Sequence, residues 1–331
     1  MAYQTCRFTL QPRTAFGTPL SGDTLFGQIC WVLRHRFGDE WLIERLEGYT
    51  EGHPFLVLSD AFPQGFLPLP AVPTFFWKAA DNVDRKTLKK KRWLSLENLG
   101  TDFPTWQDRA RNDVETTEII LQNRSSPESR KGKERVPSQK LQPHNSIDRT
   151  TSTTSEGTMF APYTQMQYWF HPKMRLDLYV ILNETCISVE EFGAALEDMG
   201  KSGYGRDASI GLGKFESERD TAFSGLPHAE NANAFLTLAP CAPQGQDFVR
   251  ERSFYQILTR FGRHGDIAVH SGNPFKRPLL LAKSGGIFYP ETLDQNLAFI
   301  GQGLGKVSAS HPEAVAQGYA PVVRIRMEGV Q

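Results

Sequence analysis

No uncharged apolar run in this 331-residue chain approaches the roughly 20 residues that a membrane-spanning helix needs, so a helical membrane protein is excluded. Cysteine is scarce. Cys6, Cys30, Cys186 and Cys241 form no CxxC pair and have no His at ligand spacing, so neither a disulfide framework nor a zinc site is expected. The stretch MAYQTCRFTL lacks a basic region followed by an apolar segment and a small-residue cleavage site. A secretory signal is therefore not expected, and a cytoplasmic protein is. An excess of either charge is also missing, because 37 Lys and Arg balance 37 Asp and Glu. Spread evenly, that balance would speak against a nucleic-acid partner.

Signatures of catalysis are equally thin. Eight histidines show no HxxxH or other metal spacing, and no GxSxG elbow occurs. Asp23, Asp60, Asp148 and Asp207 stand alone, with turn or cap roles open to them.

What is present is long enough for two domains of ordinary size. Tyr3 to Leu10 places Cys6, Phe8 and Leu10 on one face of a strand. A loop with Pro12, Gly17 and Pro19 follows, and Ser21 or Asp23 is placed to cap a helix carrying Phe26, Ile29, Leu33 and Phe37, with Gly38 as its stop. Phe26, Ile29 and Leu33 read as core. Phe55 to Phe62 reads as a further strand, an order compatible with half of a ferredoxin-like βαββαβ unit. A second strand-helix unit runs from Arg175, with Leu176, Leu178, Val180 and Leu182 alternating before a helix capped by Ser188, and a strand is expected near Ala234 to Ala239.

The charge, however, is clustered. Arg85 to Arg92, RKTLKKKR, puts six cations in eight residues, either a solvated helix face or an anion-binding strip. Residues 123–157 hold only Val136, Leu141 and Ile147 as sizeable apolar side chains and cannot bury a core. Between Arg124 and Arg149 seven cations face three acids. The flanks, Val114 to Gln122 and Met159 to Phe170, have strand-like composition, so the spacing predicts an extended hairpin or thumb with a basic tip.

The strongest local signal is GYGRDASIGLGKF, Gly203 to Phe215. Gly203, Gly205, Gly211 and Gly213 allow close backbone approach to a polyanion. Arg206 and Lys214 add charge, Ser209 a hydroxyl, and Tyr204 and Phe215 rings for base stacking. The loop follows a helix and lacks GxGxxG and Gly-Lys-Ser/Thr, so neither a Rossmann nor a P-loop reading fits, and an ordinary flexible loop stays open beside the RNA reading. Lys276 and Arg277, held extended between Pro274 and Pro278, are either further phosphate contacts or solvated. His144, in HNSIDR, is placed for RNA contact or for general acid/base work.

Taken in order, AFGTPLSGDTLFGQICWVL, FLVLSDAFPQGFLPLP, HNSIDRTTSTTSEGTMF, the glycine-rich loop, GNPFKRPLLL and QGYAPVVRI resemble the landmarks of the repeat-associated RAMP superfamily. Within it they are similar to the Csm-type subunit that caps the 5′ handle of the guide in type III CRISPR effector complexes. The resemblance covers nearly the whole chain. It implies an α+β fold of two ferredoxin-like (RRM-like) domains, here 1–172 with a thumb insertion at about 114–168, and 173–331 with the glycine-rich loop at 203–215. It also implies a structural subunit for antiviral defence, without catalytic activity, cofactor or metal. Such a subunit binds the repeat-derived 5′ handle of the CRISPR RNA, contacts a large polymerase-like subunit and a backbone RAMP subunit, and meets target RNA only through the complex. Carried over, the RNA-binding residues are Ser21, Asp23 and Thr24 before the first helix, His144, Asn145, Asp148 and Arg149 in the thumb, and Gly203 through Lys214 in the loop. Gly17 and Leu212 depart from the pattern, standing where a polar residue and a cation are common. A processing endoribonuclease using His144 or His53 is the rival reading.

The acids lie apart from these cations, from Asp39 to Glu51 and from Glu184 to Asp198, beside the two helical regions. The balanced total is thus expected to conceal basic surfaces for RNA and acidic surfaces for protein.

Overall fold

A computed structural model describes residues 3–78, 84–122, 138–154, 161–270 and 273–327. From the N-terminus, β1 (Tyr3–Pro12), α1 (Gly22–Phe37) and α2 (Asp39–Leu46) precede β2 (Leu56–Pro63) and β3 (Phe66–Pro68). Next come α3 (Arg85–Leu88), β4 (Trp93–Ser95), α4 (Trp106–Arg109) and α5 (Asp113–Gln122), then β5 (Ser138–His144) and β6 (Tyr163–Trp169). The chain continues through β7 (Leu176–Asn183), α6 (Val189–Ser202), β8 (Phe215–Arg219), β9 (Ala234–Thr237) and β10 (Ile257–Arg260). It closes with β11 (Leu279–Ala282), β12 (Ile287–Phe288), β13 (Phe299–Leu304) and β14 (Ala316–Ile325). Helix and sheet are mixed, as the α+β expectation required.

Four of these strands form an antiparallel sheet in the order β2-β7-β1-β8. Cys6, Phe8 and Leu10 of β1 meet Leu178 and Val180 of β7 in one core, which α1 closes with Leu25, Phe26, Ile29 and Leu33 and α6 with Phe192, Leu196 and Met199. Local chemistry sets the start of α6 and the end of α1. Ser188 and Glu191 form a reciprocal capping box at the start of α6, and Gly38 ends α1 at φ 94°. β7 is buried along its whole length, because its other face, through Tyr179, packs in a second core with Phe62, Leu236 and Val323.

That second core belongs to an antiparallel sheet of order β12-β9-β14-β13. Among the described residues no α-helix follows Ser202, and this sheet is covered by the first sheet and by the segment between β2 and α5, which brings Leu67 of β3, Leu94 of β4 and Trp106 of α4 into the second core. The joint is specific. Gln317 of β14 is fully buried and reaches β2, accepting from the Leu58 amide at 2.9 Å and donating to the Leu58 carbonyl at 2.8 Å. Tyr319 donates its hydroxyl to the Tyr49 carbonyl at 2.7 Å. Two-stranded ribbons β3-β4, β5-β6 and β10-β11 complete the fold.

Three expectations change. Val114 to Gln122, with strand-like composition, is the helix α5: Asn112 accepts from the Val114 and Glu115 amides at its start, and Thr116, Thr117, Ile120 and Leu121 turn inward. The antiparallel hairpin therefore begins inside the polar arm, at Ser138, and the basic segment 123–137 lies outside the described residues. The strand-helix unit starting at Arg175 repeats the order of the first one within the same sheet rather than founding a second domain. Its β7 pairs with β1 and β2, so the division expected at 172/173 runs through a single sheet.

The joint between the sheets is testable. Gln317→Leu strands the Leu58 N–H and C=O in the core, and urea unfolding is expected to show a loss of at least about 2 kcal/mol. An unchanged midpoint would mean that Gln317 does not hold the sheets together.

Candidate nucleic-acid interface

The glycine-rich loop leaves the end of α6 and folds back on residues 13–19. Gly203, Gly205, Gly211 and Gly213 all have positive φ, between 74° and 99°. Their smallness serves close packing of the protein on itself. A Cβ on Gly213 would lie 2.1 Å from the Tyr204 carbonyl oxygen, and one on Gly205 would lie 2.6 Å from Thr18 Cβ. The amides are likewise committed internally: Gly213 N–H donates to the Ala15 carbonyl at 2.7 Å, Lys214 N–H to Thr14 Oγ1 at 2.9 Å, Gly205 N–H to Gln28 Oε1 at 2.7 Å and Arg206 N–H to Thr18 Oγ1 at 3.0 Å. The amide cradle expected for a polyanion is thus largely filled by protein. Tyr204 and Phe215, expected as stacking faces, are buried; the Tyr204 hydroxyl donates to the Pro19 carbonyl at 2.8 Å. What the loop offers outward is Arg206, Ser209 and Lys214, all exposed. Gly17 acquires a reason: a Cβ there would meet the Arg206 carbonyl oxygen at 2.5 Å, so a larger residue would push the loop away.

Ser21, Asp23 and Thr24 stand at the first turn of α1, where the Tyr204 ring closes over Pro19. Asp23 faces Arg260 of β10 in a fork, with Nε to Oδ2 at 2.6 Å and Nη2 to Oδ1 at 2.9 Å. The same guanidinium lies 3.2 Å from the Ser21 hydroxyl. A register shift in β2 between Leu58 and Ala61 turns Asp60 toward this point, where its Oδ1 accepts from the Gly22 amide at 2.8 Å. Asp60, rather than Ser21 or Asp23, supplies the side-chain cap of α1. Burial pushes the Asp60 carboxyl up to about 7; the Gly22 amide opposes the shift and neighbouring Asp23 adds to it. Ser21 and Asp23 are therefore committed to the fold.

The hairpin β5-β6 docks beside the loop. Phe16 and Tyr168 exchange backbone hydrogen bonds at 2.9 Å each way, and Arg206 Nη2 donates to the Met166 carbonyl at 2.7 Å. His144 pairs with Tyr163 at the far end, five residues from Tyr168 and so roughly 17 Å along the strand. Its ring stacks on Tyr163 with centroids 5.2 Å apart and planes 10° apart. Asn145 and Arg149 are exposed just beyond, while Asp148 closes a turn by accepting from the Thr150 amide at 2.8 Å, which holds its carboxyl below the usual range. His53 is exposed in the turn before β2, donating its amide to Gly48.

Lys276 and Arg277 extend the β10-β11 ribbon, bonded through Lys276 N–H to the Gly262 carbonyl at 2.8 Å. They point in opposite ways. Arg277 is exposed, whereas Lys276 lies inward against Gly262, and burial lowers its pKa. The structure thus brings the loop, the α1 entrance, the hairpin base and the ribbon together, and sets His144, Asn145 and Arg149 apart at the hairpin end. Sequence reasoning missed Arg260, Gln28, Thr14 and Thr18. Nothing local marks them, since their partners lie 175 to 239 residues away in the chain. No group of described His, Cys, Asp or Glu is arranged to hold a metal ion. A separate cleft of about 750 Å³ by Pro243, Gln246, Arg250 and Phe254 contains none of the expected site residues and no acid or His.

No family model and no curated protein sequence matches this chain. Solved structures do. A chain in the crystal structure of the Csm3-Csm4 subcomplex of the type III-A CRISPR-Cas interference complex superposes with a TM-score of 0.62 at 14% identity, over 97% of this chain and 99% of that one. Chains in two Csm1-Csm4 cassettes, bound to pppApA and to cA4, each give 0.57 at 14% and 16% identity, over 99% of this chain and 100% of theirs. The chain has the fold of a type III-A CRISPR complex subunit. Csm4 is the component that all three assemblies contain.

Within that fold the glycines are separable. Gly213→Ala adds a backbone clash to a left-handed conformation, whereas Gly211→Ala, at φ 99° with nothing within 4 Å, adds only the conformational cost of roughly 1–2 kcal/mol. Thermal unfolding is expected to rank Gly213→Ala well below Gly211→Ala, and equal losses would contradict the close-packing account. Asp60 gives a pH signature. With its folded pKa near 7 and an unfolded value of about 3.9, the folded state holds the extra proton, so stability falls as pH rises from about 4 to about 7. Asp60→Asn keeps an acceptor for Gly22 and should flatten that slope in denaturation curves taken across the range; a slope identical to wild type would place the titration elsewhere.

Proposed function

We propose that this protein is a non-catalytic RNA-binding subunit of a type III CRISPR effector ribonucleoprotein, holding the repeat-derived 5′ handle of the CRISPR RNA. In this reading it also joins a large polymerase-like subunit to a backbone RAMP subunit. The observation that carries it is the fold match over nearly all of both chains to a component of type III-A assemblies, one bound to Csm3 and others to Csm1. The βαββαβ order of the first sheet supports a ferredoxin-like (RRM-like) unit, and the docked β5-β6 hairpin supports a thumb.

The chemistry of handle binding falls to side chains. Arg206 and Lys214 stand exposed on a loop whose backbone is fixed by the protein itself, so binding orders their side chains but not the loop. Lys214 has no ion-pair partner among the described residues, whereas Arg206 has Nε 3.4 Å from the Asp207 carboxylate and Nη2 on the Met166 carbonyl, which leaves Nη1 for a phosphate. The nuclease reading draws on one observation, the stacking of His144 on Tyr163, which serves base stacking as well.

Incubating the purified chain with precursor and mature CRISPR RNA, and measuring binding and cleavage together, tests this. The expected outcome is handle-dependent binding without cleavage, weakened at least tenfold by Arg206→Glu with Lys214→Glu. Cleavage abolished by His144→Ala would replace the reading with the nuclease, and binding indifferent to the handle would reduce it to a general scaffold.

A further inference from the structure

The β10-β11 ribbon has two unlike faces. From Ile257 to His264 the chain alternates strictly, with Ile257, Thr259, Phe261 and Arg263 exposed and Leu258, Arg260, Gly262 and His264 turned inward. The partner strand continues past β11 to Phe275, which bridges Arg263, and there Phe275, Arg277 and Leu280 are exposed. The inward side is anchored: Arg260 to Asp23 and Ser21, His264 to the Ser308 hydroxyl at 2.7 Å.

The outward side is unspent. Phe261 is 77% exposed and Phe275 65%. The Arg263 guanidinium sits over the Phe275 ring, 5.9 Å from its centroid. Neither Arg263 nor Arg277 has a carboxylate partner among the described residues, and no Asp or Glu occurs on this face. Two unprotected phenyl rings with two unpaired cations complement an anion that has flat apolar faces. That is an unpaired nucleic-acid strand, whose bases stack on aromatic or guanidinium planes while its phosphates meet the charges. The ribbon is also continuous with the glycine-rich loop, because Arg260 grips the same α1 entrance over which Tyr204 closes.

We infer that the outward face of the β10-β11 ribbon is a base-stacking platform for single-stranded RNA, with Phe261 and Phe275 as the stacking residues and Arg263 and Arg277 as the phosphate contacts. This rests on the reading of the chain as an RNA-binding subunit and adds a second surface to it. Both rings are solvent-exposed, so their truncation leaves the core intact.

The test is fluorescence anisotropy with the full chain and a fluorescein-labelled 12-nucleotide single-stranded RNA, alongside the same strand annealed to its complement. Losing two stacks, each worth roughly fivefold or more, Phe261→Ala with Phe275→Ala should weaken single-strand binding by roughly 25-fold or more. Duplex binding and the melting temperature should be unchanged, and Phe261→Trp with Phe275→Tyr should restore the affinity. Single-strand binding equal to wild type in the double alanine variant overturns the platform. If the same variant then fails to co-purify with a co-expressed partner subunit, the face is a protein-docking surface instead. Wild type that binds no RNA sinks both readings, whereas weakening by the Arg206 and Lys214 reversals alone sinks only this one.

Discussion

A buried carboxylate at one strand irregularity organises the site. Where β2 slips register between Leu58 and Ala61, the freed Asp60 amide donates to Leu238, at the end of the strand β9 of the second sheet, at 2.8 Å, and the Ala61 amide donates to Leu20 at 3.0 Å. The Asp60 side chain meanwhile fixes the first turn of α1. One bulge thus sets the relation of the two sheets, the entry angle of the helix and the path of the 13–21 loop. Everything exposed at the candidate interface is hung from that loop: the glycine-rich segment by its amides, the hairpin by Phe16, the ribbon by Arg260. A regular β2 would pair with β7 throughout and leave these three without a common support.

How much of this was legible depended on how local the cause was. The helix α1, the cap of α6 and the alternation of β1 follow from residues within a few positions of each other, and they stand where spacing placed them. α5 was misjudged because VETTEIILQ carries β-branched residues that favour strands in isolation, while the Asn112 cap and the burial of Thr116 and Thr117 decide the matter in context. Tyr204 illustrates the larger difficulty. In sequence it sits between glycines and cations and reads as a ring offered to RNA; in space it is the plug between the loop and Pro19. Phe261, between Arg260 and Gly262, and Phe275, before Lys276 and Arg277, keep similar company, yet they are the rings left outside, because alternation along a ribbon whose inner face is occupied leaves them no core to enter.

The zero net charge also resolves into geography, though less simply than clustering alone implied. Much of the acid beside the helices is spent on nearby cations, through Arg34 with Asp39, Lys201 with Glu197 and Arg219 with Glu190, all exposed pairs of small energetic weight. These pairs neutralise part of the helical layer, while Glu40, Glu47, Glu51 and Glu184 keep their charge without an ion-pair partner among the described residues. The cations that remain unmatched, Lys214, Arg149, Arg263 and Arg277 among them, lie on the loop, hairpin and ribbon side. Charge asymmetry therefore survives pairing, with unmatched cations on the loop, hairpin and ribbon and unmatched acids beside the helices.

The glycines carry the last step. In a phosphate-binding loop, glycine opens the backbone so that amides reach the anion. Here the same residue type lets two protein loops interlock, consuming the amides that an anion would need. What the loop leaves outward for contact is therefore side chains, with Arg206, Ser209 and Lys214 exposed. The Gly17 departure fits the same logic, because a Cβ there would press on the Arg206 carbonyl, whereas nothing in the structure explains the leucine at 212. A loop that binds its own protein so tightly is free to vary the groups it shows outward.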